Sequence, residues 1–278
     1  MTQAALTISE LTPEQFAQIR RLLYRACGIA LRPGKESLVR ARLTKRLAAL
    51  GLESFDAYLA YLDRDTSGRE LVTMIDVLTT NKTGFFREVQ HFDYVRQRLV
   101  PQLRKVQRPL RFWSAGCSSG EEPYTLAIVL REAFPDVDRW DMRILATDIS
   151  TRVLAVARQA VYEVDTLRDL PSKILQGYFT RVRQQPTPAY QVKEPVRAMV
   201  HLARLNLMGK WPMAGPFEVI FCRNVMIYFD KRTQEWLVQR FWDLLAPGGY
   251  LFIGHSESLT AGAHAFHYIQ PAIYCKAT

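Results

Sequence analysis

Cysteine, acid and long apolar runs are what this sequence has little of, and each shortage closes off a class of protein. Its four cysteines, Cys27, Cys117, Cys222 and Cys275, stand far apart, with no CxxC pair and no metal-ligand spacing. Neither a disulfide framework nor a bound metal is therefore expected, and reduced thiols of a cytoplasmic protein fit that usage. No apolar run approaches the ~18 residues of a membrane-spanning helix. The opening residues Met1–Phe16 are polar and acidic, where a secretory leader would be apolar. The expectation is a soluble, cytoplasmic protein with no direct membrane insertion. Acids number 27 against 37 Lys and Arg, a formal net charge of +10 with a pI near 9.6. Such an imbalance suits an acidic partner, and on charge alone nucleic acid, anionic membrane and acidic protein all qualify. Three signatures are also missing. There is no G-x-G-x-x-G of a dinucleotide enzyme. There is no Asn-Pro-Pro-Tyr-like motif for activating a base amine, nor an aromatic-rich basic stripe for stacking bases.

What is present is a chain of 278 residues, 48% of them hydrophobic, enough to bury a core in one large domain or in a small and a medium one. From Leu11 to about Leu78 the pattern is helical. Thr12-Pro13-Glu14 reads as a helix start, with Thr12 as N-cap and proline in the first turn. Phe16, Ile19, Leu22 and Leu23 recur at helical spacing before Gly28. A second helix, with Ser37 a candidate start and Gly51 past its end, carries Val39, Leu43, Leu47 and Leu50 on one stripe. A third falls on Phe55, Tyr58, Leu59 and Leu62. The basic excess concentrates here: Arg20, Arg21, Arg25, Arg32, Lys35, Arg40, Arg42, Lys45 and Arg46 face only Glu36 among the acids of that stretch.

After Arg108 strands and helices alternate. Arg111–Ala115, Met142–Ile149, Phe217–Val225 and Tyr250–Gly254 are strand-like, with helices over Tyr124–Phe134, Thr151–Ala160 and Lys231–Leu245 between them. Phe266–Lys276 can close the sheet. This alternation predicts an α/β domain built on a parallel sheet. Prolines 186, 188 and 195 and alternating runs mark about 179–205 as a small antiparallel β insertion. The expected organisation is a helical domain over 1–78, a connecting and cofactor-contacting segment over 79–108, and the sheet domain over 109–278.

The turn after the first strand, Ser114-Ala115-Gly116-Cys117-Ser118-Ser119-Gly120-Glu121-Glu122, lets backbone approach a ligand closely at a helix start. Two glutamates there would repel a pyrophosphate and suit an ammonium or sulfonium group. An ordinary turn, with acids favouring the helix dipole, is the alternative. Asp148, closing the second strand, can accept from both ribose hydroxyls or cap the next helix, a task Ser150 could also take. The polar stretch Thr79–Glu88 around Phe85 and Phe86 either caps the next helix or closes over a cofactor, and pattern alone favours capping. Asn224 ends a buried strand at the same rim, as a ligand contact or as a hydrogen-bonded loop residue.

TTNKTGFFRE, SAGCSSGEEPYTLA, ILATDIS, FCRNVMIYFD and LAPGGYLFIGHSES follow one another in this order, and together they resemble the CheR family of chemotaxis-receptor methyltransferases over essentially the whole chain. The resemblance implies an all-helical amino-terminal domain joined to a Rossmann-like S-adenosylmethionine-dependent methyltransferase domain with an antiparallel β insertion. It implies S-adenosylmethionine as cofactor and S-adenosylhomocysteine as product. The implied cofactor contacts are Asn81, Thr83, Arg87, Glu122, Asp148, Asn206, Leu207, Asn224 and Val225. Arg87 is the candidate for orienting the substrate carboxylate and Tyr228 for a hydroxyl donor near the methyl, with a packed rim tyrosine the alternative for Tyr228. Arg40, Arg42, Lys45 and Arg46 are the candidates for binding the acidic helical cytoplasmic region of chemotaxis receptors, against a plain solvated face. Monomer is expected. Where some members grip a receptor's terminal peptide with glycine-rich turns, this chain has Gln184-Gln185-Pro186-Thr187-Pro188, which points away from such tethering. Nucleic-acid methylation and non-catalytic cofactor sensing are the competing functions.

Overall fold

The computed structural model describes residues 10–134, 136–260 and 262–277. The chain divides into two compact units, one made of the residues up to Thr80 with Tyr228–Asp230, the other of Asn81–Ile227 and the residues from Lys231 on.

The first unit is helical: α1 (Pro13–Cys27), α2 (Glu36–Leu50), α3 (Phe55–Arg64) and α4 (Arg69–Leu78). Thr12 and Gln15 close a reciprocal capping box at the start of α1, and Gly28, at φ 74°, ends it in the left-handed conformation that glycine adopts without a Cβ penalty. α2 begins at Glu36 with no side-chain cap, so Ser37 is not its start signal. The fourth helix departs from the expected three. Asp65 breaks the run after α3 by accepting from the backbone N–H of Ser67 at 3.0 Å and of Glu70 at 2.6 Å, which restarts the chain as a separate helix. Phe16, Ile19, Leu23, Val39, Leu43, Leu47, Phe55, Tyr58 and Met74 are buried between the helices. Tyr228–Asp230 joins them through Ala30 N–H to the Tyr228 carbonyl (2.8 Å), Tyr24 Oη to Asp230 Oδ2 (2.7 Å) and Tyr228 Oη to the Thr80 carbonyl (3.2 Å).

The second unit opens with α5 (Val89–Tyr94), which runs through a π turn at Val95–Leu99 into α6 (Val100–Leu103). The expected connecting segment is thus helical over much of its length. Phe92, Val95, Leu99 and Leu103 recur at helical spacing and enter the core of the sheet. The strands are β1 (Leu110–Ala115), β2 (Met142–Asp148), β3 (Val161–Glu163), β4 (Phe179–Arg183), β5 (Ala189–Val192), β6 (Val200–Arg204), β7 (Phe217–Cys222), β8 (Leu245–Ile253), β9 (His267–Gln270) and β10 (Ile273–Cys275). Between them lie α7 (Glu121–Ala133), α8 (Thr151–Gln159), α9 (Val164–Leu167), α10 (Ser172–Tyr178), α11 (Glu194–Arg197) and α12 (Lys231–Leu244).

One sheet of seven strands runs β6-β2-β1-β7-β8-β10-β9. β6, β2, β1, β7 and β8 are parallel, and β10 pairs antiparallel with β8 and β9. β7 is buried along its whole length, Glu218 included, as a central parallel strand covered on both faces is. The chain moves outward from β1 to β2 and β6, then returns to β7 on the other side. The direction of the connections thus reverses between the carboxyl ends of β1 and β7, the switch point at which open α/β sheets bind ligands in a crevice. The antiparallel sheet is a separate one, β3-β5-β4, and its extent differs from the expected 179–205. Val161–Glu163 supplies its third strand, while Val200–Arg204 pairs parallel with β2 in the large sheet.

Candidate active site

The turn leaving β1 is built by two close approaches. A Cβ on Gly116, whose φ is 93°, would stand 2.4 Å from Val225 Cγ2, and one on Gly120 would crowd Tyr162 Oη and Ala157 Cβ. Side chains other than hydrogen have no room there, so the loops after β1 and β7 can lie against one another. The Gly116 and Cys117 N–H groups donate to the Thr147 carbonyl at 2.7 and 2.9 Å. Asp148, 8% exposed, accepts from Ser118 N–H with Oδ2 (2.8 Å) and from Ser150 N–H with Oδ1 (2.9 Å). Ser150 is the N-cap of α8, its Oγ accepting from Val153 N–H. Asp148 thus ties the turn after β1 to the start of the β2–α8 connection.

At the start of α7, Glu122 Oε1 accepts from Ser114 Oγ (2.7 Å) and Oε2 from Arg223 Nη1 (3.0 Å). Burial pushes the Glu122 carboxyl up, opposed by the Arg223 cation. Glu121 is also buried and pushed up by desolvation, its Oε2 accepting from Ser119 Oγ. Arg223, its side chain 2% exposed, is the hub that was not expected. Its Nε and Nη2 donate to Glu88 Oε2 at 3.2 and 3.0 Å, Nη2 also donates to the Arg87 carbonyl, and its guanidinium lies 5.4 Å from the Phe92 ring centre. Burial would raise the Glu88 carboxyl, but Arg223 holds it below the ordinary range. Next along the chain, Asn224 sits at φ 58°, fixed by Glu257: Oε2 accepts from the N–H groups of Asn224 (2.9 Å) and Gly254 (2.6 Å), Oε1 from that of Ile227 (3.0 Å). A Cβ on Gly254 would fall 2.3 Å from Asn224 Nδ2.

The segment before α5 is bent sharply, with Phe86 and Glu88 at φ 54° and 57°. Left-handed backbone at such residues costs about 1–3 kcal/mol each and concentrates at functional sites. Ser118 Oγ donates to the Asn81 carbonyl (3.0 Å), and Phe86 N–H donates to Thr125 Oγ1 (3.1 Å). Phe85 packs edge-on against Tyr162 and Phe179 at 4.9 and 5.3 Å. Arg87 is partly exposed, and its Nη1 donates to the Lys82 carbonyl (2.7 Å); Thr83 is partly buried. Asn206 Oδ1 accepts from Met208 N–H (3.0 Å). The carbonyl of buried Leu207 accepts from Trp211 Nε1 (3.1 Å) and Arg240 Nη1 (2.9 Å).

Asn81 and Asp148 meet at Ser118, Glu122 and Asn224 meet around Arg223 and Glu88, and Val225 lies against Gly116. Asn206 and Leu207 follow β6 at the end of the same sheet. Tyr228 belongs with the helical unit through Thr80, as described above. Among the basic candidates, Arg42 donates to the carbonyls of Leu78 and Thr79 and to Thr80 Oγ1, and Arg46 grips Glu70 with Nε at 3.0 Å and Nη2 at 2.5 Å. Arg40, which pairs with Glu10, and Lys45 are exposed. Arg223 had a signal in the sequence: an arginine directly after the largely apolar Phe217–Cys222 run must find carboxylate partners or stay unburied.

Two family models account for nearly all of this chain. The CheR methyltransferase all-alpha domain matches residues 14–79, and the CheR methyltransferase SAM binding domain matches residues 81–275. This chain belongs to the CheR methyltransferases. Chemotaxis protein methyltransferase 2 of Pseudomonas aeruginosa is 42% identical over 267 residues, covering 96% of this chain and 94% of the relative. The chemotaxis protein methyltransferases of Borreliella burgdorferi and Salmonella typhimurium are 39% and 41% identical, over 96% and 90% of this chain and 95% and 85% of theirs. Solved structures match more loosely. The methyltransferase domain of bacterial CtHen1-C, 15% identical over 60% of this chain and 64% of that one, gives a TM-score of 0.35, too low to bear on activity. As a CheR methyltransferase the chain uses S-adenosylmethionine, and the site fits that molecule. The backbone closes in where only glycine fits, a buried carboxylate ends β2 beside that turn, and acids rather than cations start α7. No helix among the described residues is long and apolar enough to cross a membrane.

Proposed function

We propose that this CheR methyltransferase esterifies glutamate side chains on the acidic helical cytoplasmic region of chemotaxis receptors, acting in the cytoplasm. The observation that carries the reading is Asp148, held by Ser118 and Ser150 N–H groups beside a glycine turn at the β1–β7 crevice. In this reading Asp148 accepts from the two ribose hydroxyls, and Asn206 and Leu207 flank the adenine. Glu122 and Asn81 hold the amino-acid end, while Thr83, Arg87, Asn224 and Val225 line the remainder. S-adenosylmethionine supplies a methyl group already activated on a sulfonium.

A glutamate carboxylate, with an ordinary pKa near 4.3, is an anion at neutral pH and attacks without a general base. The protein's task is alignment, an effect worth roughly 7–11 kcal/mol in well-oriented reactions. Arg87 orients the incoming carboxylate, its planar fork matching one, and Tyr228 is the second candidate donor. Arg40 and Lys45 attract acidic receptor helices. The test is methyl transfer from labelled S-adenosylmethionine to receptor-bearing membranes, followed by alkali. Label released as volatile methanol supports carboxylate esterification; label that resists alkali, or no transfer at all, overturns it.

A further inference from the structure

Glu88, His91 and His255 bring one carboxylate oxygen and two imidazole nitrogens within 4.8 Å of one another. His91 is 1% exposed, and neither its Nδ1 nor its Nε2 has a hydrogen-bond partner among the described residues. Buried polar atoms are nearly always satisfied, and an unsatisfied one asks for an explanation such as an ion. Its ring stands 4.8 Å from that of His255, at 86°, and its Nδ1 is 3.6 Å from Glu88 Oε2. The geometry points to a binding site for a divalent cation of the zinc class, held by His91, His255 and Glu88.

Zinc bonds of about 2.0–2.1 Å in a tetrahedron put neighbouring donors roughly 3.4 Å apart, so donors that lie within 4.8 Å of one another need only small side-chain rotations to close on an ion. His255 is exposed, so its side chain can turn inward to complete the set and the ion can enter from solvent on that side. Glu88 Oε2 is engaged by Arg223, but among the described residues Oε1 has two long contacts of 3.4 Å, to Asn224 Nδ2 and His255 N–H, and is the oxygen available to a metal. Two imidazoles and one carboxylate favour zinc, cobalt or nickel over magnesium and calcium, which prefer oxygen. Three protein ligands leave a fourth position for water. The bound ion fastens the start of α5 to the segment after β8, beside Arg223. Glu88 and His91 are three residues apart, but His255 lies far along the chain, so no ligand spacing betrays the site in the sequence.

The experiment titrates the untagged full chain, with Cys275→Ser to remove its partly exposed thiol, with zinc by calorimetry and with cobalt by visible absorption. One ion per chain is expected, reversible by chelator, with the intense visible bands of low-coordinate cobalt and a raised Tm. His91→Phe should abolish binding; because that change lies in the core, His255→Ala, at the surface, keeps the test independent of folding and should weaken binding about tenfold or more. Absence of saturable binding at micromolar zinc, or equal affinity in the parent and His255→Ala, overturns the proposal.

Discussion

Asp148 carries two loads on one carboxylate: it staples the Ser118 turn to the β2–α8 connection, and in the proposed reading it receives a ribose. Asp148→Asn keeps the shape but turns one acceptor into a donor facing an N–H group. Hydrogen bonds to charged groups are worth about 1.5–3 kcal/mol, so S-adenosylhomocysteine affinity should fall roughly ten- to hundredfold by calorimetry, with a lower Tm. Glu122 gives a pH-dependent counterpart. Burial raises its carboxyl despite Arg223, so it takes up a proton at higher pH than an ordinary glutamate. If its anion holds the cofactor's ammonium, binding lowers that pKa in the complex. Affinity is then full above the raised pKa of the free enzyme and declines as pH falls through it. Glu122→Gln should bind weakly, with that part of the pH profile gone; an unchanged profile would detach Glu122 from the cofactor.

At the scale of elements, two helices are tied to their neighbours by charged side chains as well as by their apolar faces. On α12, Arg240 lies 3.6 Å from the ring centre of Trp211 and 4.5 Å from that of Trp236, and donates to the Leu207 carbonyl. This sandwich fixes the loop after β6. Arg240→Lys keeps the charge but loses the planar stacking, and should cost several-fold in cofactor affinity while leaving kcat at saturation nearly unchanged. Between α2 and α4, Glu70 is buried and takes Arg46 as well as Tyr58 Oη at 2.9 Å. Glu70→Ala strands both donors. Breaking a buried pair costs about 3–5 kcal/mol, and because the Arg46 side chain stays 26% exposed the lower end is expected in urea unfolding of the helical unit.

These elements also mark what the sequence disclosed. The periodic stripes of α1, α2 and α3 and the apolar run of β7 were legible because each buries one face or the whole element. α4 was not, since its separation from α3 depends on Asp65 folding back on Ser67 and Glu70. The glycine turn and Asp148 were legible as a site because they are local. The Arg223–Glu88–Glu122 hub was not, because its members lie more than a hundred residues apart in part and meet only through the sheet.

On the whole molecule, the charge excess of +10 resolves into two kinds of cation. Arg42 and Arg46 are spent on α4 and the turn after it, so reversing either would test folding and not recognition. Arg40 and Lys45 remain exposed on α2, Arg40 sharing only a surface pair with Glu10, whose side chain is 89% exposed and whose contribution is therefore small. If acidic receptor helices are drawn in by this face, the attraction is long-range and screened by salt, with a Debye length of about 8 Å at physiological ionic strength. Arg40→Glu with Lys45→Glu should then raise KM for receptor about tenfold in low salt, through slower association. The difference should shrink as salt rises toward about 0.5 M, where screening falls within a single side-chain length. S-adenosylhomocysteine affinity and Tm should stay near those of the parent, since neither residue holds the crevice or the helical core. Receptor kinetics indifferent to both substitution and salt would leave the basic face a solvated surface and move recognition to other residues.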